Sequence, residues 1–127
     1  DTSSLDFSSH RSARGLGPIG DGNGYGLMLH STVAVDPSGA GQVLGLAFQK
    51  LFCRQETPEE ETRTERKDRW RESQIWPESV REVGPPGPTS RWIHVGDRGA
   101  DNFEFFEACR QTGAEFLIRA SQDRRTA

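Results

Sequence analysis

The first seven residues of the chain follow a strand-like pattern with a period of two. Asp1, Ser3, Leu5 and Phe7 fall in line with polar neighbours between them, so a strand is under way at residue 1. A complete strand would carry apolar residues upstream, and the chain therefore reads as truncated at its N-terminus. Leu27 to Val35 is a near-continuous apolar run of strand length, rich in β-formers towards its end. Asp36-Pro-Ser-Gly-Ala-Gly41 is a turn by composition, and a second apolar run from Val43 to Phe52 completes a hairpin. Residues 54–69 are intensely charged, with Glu59/Arg63 and Glu65/Arg69 at the i,i+4 spacing of a helix. Trp70, Ile75 and Val80 give the next helix a weak apolar face, and Pro77 limits its length. After the Gly84–Pro88 loop, Arg91 to Gly96 reads as a short buried strand. Asp101 with Glu104 forms a capping-box pattern, opening a helix whose apolar face is Phe103, Phe105, Phe106 and Cys109. That helix ends at Gly113, and Glu115 to Ala120 is a last strand. The order strand, strand, strand, helix, strand, helix, strand predicts an α/β fold, with one mixed sheet covered on both faces.

Gly15, Gly17, Gly20, Gly22, Gly24 and Gly26 lie between the first strand and the hairpin. Gly15-Leu-Gly-Pro-Ile-Gly20 formally matches a dinucleotide-binding fingerprint. That fingerprint works by opening a helix, whereas here Pro18 interrupts it and a strand follows. A flexible loop is the reading adopted.

The chain has 127 residues, enough for one domain. Only 32% are hydrophobic, against a usual share of roughly 45–50%, and 28% are charged. Such a composition suits a thin core or a piece cut from a larger body. A net charge of −3 argues against a freestanding DNA binder, because neutralising phosphates takes Lys and Arg. It argues less against a catalytic piece whose gripping parts lie elsewhere, and Arg119, Arg124 and Arg125 do crowd the C-terminal end. No stretch approaches the roughly 20 apolar residues that cross a bilayer, so no membrane association is expected. Cys53 and Cys109 are in no metal-ligand spacing and read as reduced core thiols of a cytosolic protein, with a disulfide as the alternative.

The candidate chemistry lies in two aspartates. Asp97 follows Trp92-Ile93-His94-Val95-Gly96, at the carboxyl end of a strand, where ligands of open α/β sheets gather. Asp1 opens the first strand, and if the two strands lay side by side in parallel, the carboxylates would face each other. Carboxylates gathered from distant parts of a chain suit a pair of hard divalent cations. Gly96 would remove bulk where metal and phosphate approach. The plainer reading is that Asp97 begins a turn and Asp1 is a frayed end. Arg98 could contact a phosphate bidentately or pair with Asp101 or another acid. Asp101 reads as a cap. His30 and His94 read as hydrogen-bonded core residues, and His10 is unassigned. No Cys or His pair has zinc spacing, and no serine sits in a Gly-x-Ser-x-Gly elbow.

Asp1-Thr-Ser-Ser-Leu5, Gly15-Leu-Gly-Pro-Ile-Gly20, Leu27-Met-Leu-His-Ser-Thr-Val-Ala-Val35 and His94-Val-Gly-Asp-Arg-Gly-Ala-Asp101 resemble, in order, blocks of bacterial insertion-sequence transposases. The subgroup is the DDE type that includes the cut-and-paste, hairpin-forming enzymes. The resemblance runs to about Ala120 and implies part of a ribonuclease H-like catalytic core, agreeing with the strand and helix order read above. It implies that Asp1 and Asp97 are the first and second catalytic aspartates and bind Mg²⁺, with Mn²⁺ as a substitute. Arg98, Ala100 and Asp101 match the block around the second aspartate, where many relatives have Glu in place of Gly99. Arg98 and Arg119 are the candidate DNA contacts. The implied activity is cleavage and strand transfer at DNA phosphodiesters. The implied partners are transposon ends, target DNA and a second copy of the chain, in the nucleoid-associated cytoplasm of a bacterium. The family's third acid, a glutamate in a Tyr-Arg-Glu-Lys pattern, has no counterpart, since Glu104, Glu107 and Glu115 follow Asp97 too closely. The alternatives are an inactive remnant and a ribonuclease H-like nuclease outside transposition; the glycine-rich and Leu-His-Ser blocks argue against the latter. Exposed sheet edges predict poor solubility.

Overall fold

The computed structural model describes residues 1–123 apart from 22, 56, 57 and 59, and at 67 and 68 the backbone alone. The α/β class holds. The chain forms two compact units, Asp1–Trp70 and Arg71–Ala127, and each is described by itself.

The first unit is an antiparallel sheet of β1 (Thr2–Asp6), β2 (Gly17–Ile19), β3 (Gly24–Asp36) and β4 (Gln42–Phe52). β3 is central. β1 pairs along one edge, from Thr2↔His30 to Asp6↔Gly26. β2 and β4 share the other edge, at Gly17↔Gly26 to Ile19↔Gly24 and at Met28↔Phe52 to Asp36↔Gln42. The predicted hairpin is present. Register shifts at Thr32/Val33 and Ala34/Val35 are bulges that place Ala47 and Leu44 out of step with β3.

The glycine-rich segment is not only a loop, because β2 lies within it. A Cβ on Gly17 would run into the Arg54 carbonyl oxygen, and one on Gly26 into that of Leu5. Neighbouring backbones approach too closely for any side chain at these two positions, which explains glycine there without a phosphate.

Pairing puts Thr2, Met28, His30, Phe48 and Phe52 on one face of this sheet. That face forms the core: Met28 and His30 are buried, and Phe52 meets Trp70 edge-on at 5.1 Å. The opposite face carries Leu29, Val33, Val35, Val43, Leu46 and Leu51, and Val43 is 66% and Leu46 57% exposed. The expected sheet covered on both faces is thus covered on one here. The helix predicted in the charged segment is α1 (Arg63–Asp68). Its Thr62 and Glu65 close a reciprocal capping box. With Glu65 so engaged, Arg69 pairs with Glu61 rather than with the predicted i,i+4 partner. Glu59 of the other predicted pair lies outside the described residues.

In the second unit a 3₁₀ turn, Glu72–Gln74, leads into α2 (Ile75–Val83). Pro77 falls in its first turn, where a missing N–H costs no helical bond. The face predicted to be weak is well buried: Ile75 and Val80 are fully enclosed. β5 (Ile93–Gly96) runs through a 3₁₀ turn, Arg98–Ala100, into α3 (Phe103–Thr112) and returns as β6 (Glu115–Ile118). β5 and β6 pair in parallel, from Ile93↔Glu115 to Gly96↔Ile118, so this is a βαβ crossover. α3 packs on α2 through Phe105, Ala108 and Cys109. Phe103, assigned to the apolar face by sequence, is 72% exposed, and Phe106 stacks on Phe116 at 4.8 Å. Gly113 ends α3 at φ 75°, as predicted.

The single predicted mixed sheet is divided, among the described residues, into the four-stranded antiparallel sheet and the parallel pair. The ladder expected between the strand of Asp1 and that of Asp97 belongs to neither. Cys53 and Cys109 are both free thiols. Among the described residues, no helix is long and apolar enough to cross a membrane.

Candidate functional site at the carboxyl end of the parallel pair

Asp97 leaves β5 at the carboxyl end of the parallel pair, as its sequence position predicts. Its side chain caps the following 3₁₀ turn by accepting the Gly99 N–H at 2.8 Å, and the Ala100 N–H reaches its backbone carbonyl at 3.2 Å. The carboxylate is exposed and one of its oxygens is committed to that cap. Asp97 therefore does begin a turn, and the turn sets its orientation.

Trp76 of α2 holds that turn from beneath. A Cβ on Gly99 would lie 3.0 Å from Trp76 Nε1 and 3.1 Å from Asp97 Oδ1. A Cβ on Gly96 would lie 2.9 Å from Ala100 Cβ, 3.0 Å from Ile118 Cδ1 and 3.2 Å from Trp76 Cζ3. Gly96 is thus required by interior packing, which corrects its assignment as open space for metal and phosphate. Trp76 was not singled out by sequence reasoning as part of any site. A lone tryptophan with helix spacing carries no signal of what it covers.

The parallel register sets the second strand end beside the first. Arg119 donates its N–H to the Gly96 carbonyl at 3.2 Å, so Asp97, Arg98 and Arg119 share one rim. Arg98 and Arg119 are exposed, and neither guanidinium is paired among the described residues. Among the described residues, the ion pairs do not include one between Arg98 and Asp101.

Asp101 does not cap α3. Asn102 does, accepting the Phe105 N–H at 2.8 Å, and Glu104 pairs instead with Arg71. The carboxylate of Asp101 is buried, and its Oδ2 accepts the Ser121 N–H at 2.6 Å, the Ser121 hydroxyl at 2.9 Å and the Gln122 N–H at 3.2 Å. The partner lies 20 residues downstream, so local spacing favoured the wrong assignment. Glu107 pairs with Arg110 and Glu115 with Arg91, and both carboxyls are held below their ordinary range chiefly by those hydrogen bonds. His94 is half-buried against Phe105, with no hydrogen bond to Nε2 among the described residues, and burial lowers its pKa.

Asp1 belongs to the first unit. It continues the β1 ladder, bonding Ser31 through both backbone groups at 2.7 and 2.8 Å, and its carboxylate accepts the Thr2 N–H at 2.7 Å. Thr2 in turn holds buried His30 at Nδ1, 2.7 Å away. His30 is thus the hydrogen-bonded core residue that the sequence predicts, tied to the residue next to Asp1. Asp97, Arg98 and Arg119 are brought together within the second unit. Among the described residues, no three His, Cys, Asp or Glu side chains gather as a metal-binding group. No family model matches the chain, and no curated protein matches it.

Proposed function

We propose that the chain is part of the catalytic core of a DDE-type transposase, acting on DNA phosphodiesters with a divalent cation. The observation that carries this reading is one exposed carboxylate, Asp97, oriented by its turn cap at the carboxyl end of a parallel strand pair, with exposed Arg98 and Arg119, unpaired among the described residues, on the same rim. Negative phosphate oxygens suit the guanidinium fork, which binds them bidentately. The carboxylate suits a hard cation rather than the phosphate itself. Its donor set fits Mg²⁺ or Mn²⁺, since Mg²⁺ is commonly held by one or two carboxylates, with water and substrate phosphate filling the rest. Asp97 would supply a carboxylate to the ion, which when bound stabilises charge on the attacking and leaving oxygens of an in-line displacement.

The finer fold, a ribonuclease H-like sheet, requires β1 and β5 to be neighbours. Each has one edge outside any ladder among the described residues. Joining two transposon ends would further require two copies of the protein bound to DNA.

A second reading, an inactive remnant, is favoured by a different observation. Glu104, Glu107 and Glu115, the glutamates following Asp97 in the second unit, are engaged by Arg71, Arg110 and Arg91. Each of these carboxylates already has an arginine partner, which speaks against its serving as the third acid of a DDE site. Nicking of supercoiled DNA with Mg²⁺ or Mn²⁺ by the full-length protein separates the two. Under the first reading Asp97→Ala in the full-length protein abolishes nicking while DNA binding persists. Nicking that survives the substitution removes Asp97 from the chemistry, and DNA binding without nicking by the unaltered full-length protein supports the remnant.

A further inference from the structure

We propose that Asp101 is a positioning residue, tying the segment after β6 to the loop after β5 so that Arg119 is presented to a DNA phosphate beside Asp97. This rests on the reading of Arg119 as a phosphate contact. α3 does not need Asp101, because Asn102 already caps it. The carboxylate is 6% exposed, and a buried charge is costly unless hydrogen bonds satisfy it. Three donors from Ser121 and Gln122 converge on Oδ2. Departure of Ser121 and Gln122 would take all three of these donors from the buried carboxylate. Arg119 lies just before this clamp, and its own N–H is held by the Gly96 carbonyl. The backbone carrying Arg119 is thus fixed on both sides, with only Ala120 between the two anchors. The guanidinium itself stays exposed and unpaired among the described residues. An arginine on a fixed backbone loses less freedom when it engages a phosphate than one on a loose segment.

The test is the salt dependence of binding to a fluorescent mixed-sequence duplex of about 20 base pairs, measured without divalent metal. Each phosphate contact contributes roughly 0.9 to the slope of log affinity against log salt. Arg119→Ala should lower that slope by about 0.9. Asp101→Ala should lower it by a similar amount, and the double variant no further. Thermal unfolding followed by circular dichroism identifies variants that fold. Should Asp101→Ala unfold, Asp101→Asn carries the test: it keeps the shape, weakens the clamp and should lower the slope in part. An unaltered slope in the folded Asp101 variant, with a lowered one in Arg119→Ala, overturns the inference. So does an unaltered slope in Arg119→Ala, which would leave no contact to position. Neither result bears on the nicking assay of Asp97, so the two proposals fail separately.

Discussion

Gly96→Ala tests how the turn of Asp97 is supported. The added methyl would meet Ala100 Cβ at 2.9 Å, Ile118 Cδ1 at 3.0 Å and Trp76 Cζ3 at 3.2 Å. Carbon atoms prefer separations of roughly 3.5–4.0 Å, so all three contacts are too close. Ile118 can turn its terminal methyl aside. Ala100 Cβ is fixed to the backbone of the 3₁₀ turn and moves only if that turn moves. Overpacking of this kind costs about 1–3 kcal/mol. Reduced freedom of the unfolded chain returns roughly 0.4–1 kcal/mol of that. The net loss is about 1–2 kcal/mol, or roughly 5–15 °C in melting temperature for a small domain. The assay is thermal unfolding of Gly96→Ala, Ala100→Gly and the double variant as a cycle. If Ala100 is the main obstacle, Gly96→Ala costs less in the Ala100→Gly background by about 0.5 kcal/mol or more. Equal cost in both backgrounds would refute the packing account of Gly96.

Three further outcomes are expected. Thr2→Val removes the hydroxyl bonded to fully buried His30 and should cost about 1–3 kcal/mol, whereas Thr2→Ser keeps the bond and should cost much less; equal losses on denaturant titration would discount the bond. Burial holds the pKa of His94 below its ordinary value, so the unfolded state takes up the proton first as pH falls. Stability should therefore decline as pH drops below the unfolded value of about 6.5, and His94→Gln should flatten that decline; an unchanged pH profile in the variant contradicts it. Cys109 is buried, with its thiol pushed up to about 11, so at about pH 8 iodoacetamide should label half-buried Cys53 first and reach Cys109 only on unfolding. Equal labelling rates in the native protein would show that α3 opens readily.

Elements whose signal is periodic and local were legible. The near-continuous apolar run that ends in the β-formers Val33 and Val35 predicts β3, and Gly113 marks the end of α3. Asp97 at a strand end and its neighbour Arg98 were likewise readable as a candidate site. Misreadings arose where a distant group competes for a local one. Asp101 has the spacing of a cap, yet Ser121 takes its carboxylate and Asn102 caps in its place. Glu65 has the spacing of an Arg69 partner, yet the Thr62 capping box claims it. Phe103 fits an apolar helix pattern but lies exposed, while the buried residues of α3 are Phe105, Ala108 and Cys109.

The sequence by itself determined the α/β class, the seat of Asp97 and the strands and helices other than β2, because hydrophobic period and capping act within a few residues. Only the tertiary structure decided why Gly17, Gly26 and Gly96 must lack side chains, since each answers to backbone or side chains far along the chain. It also decided that Trp76 supports the Asp97 turn and that Arg119 stands beside that aspartate. Those relations come from a parallel register and a helix crossing, and such contacts between distant residues leave no period in the sequence to read.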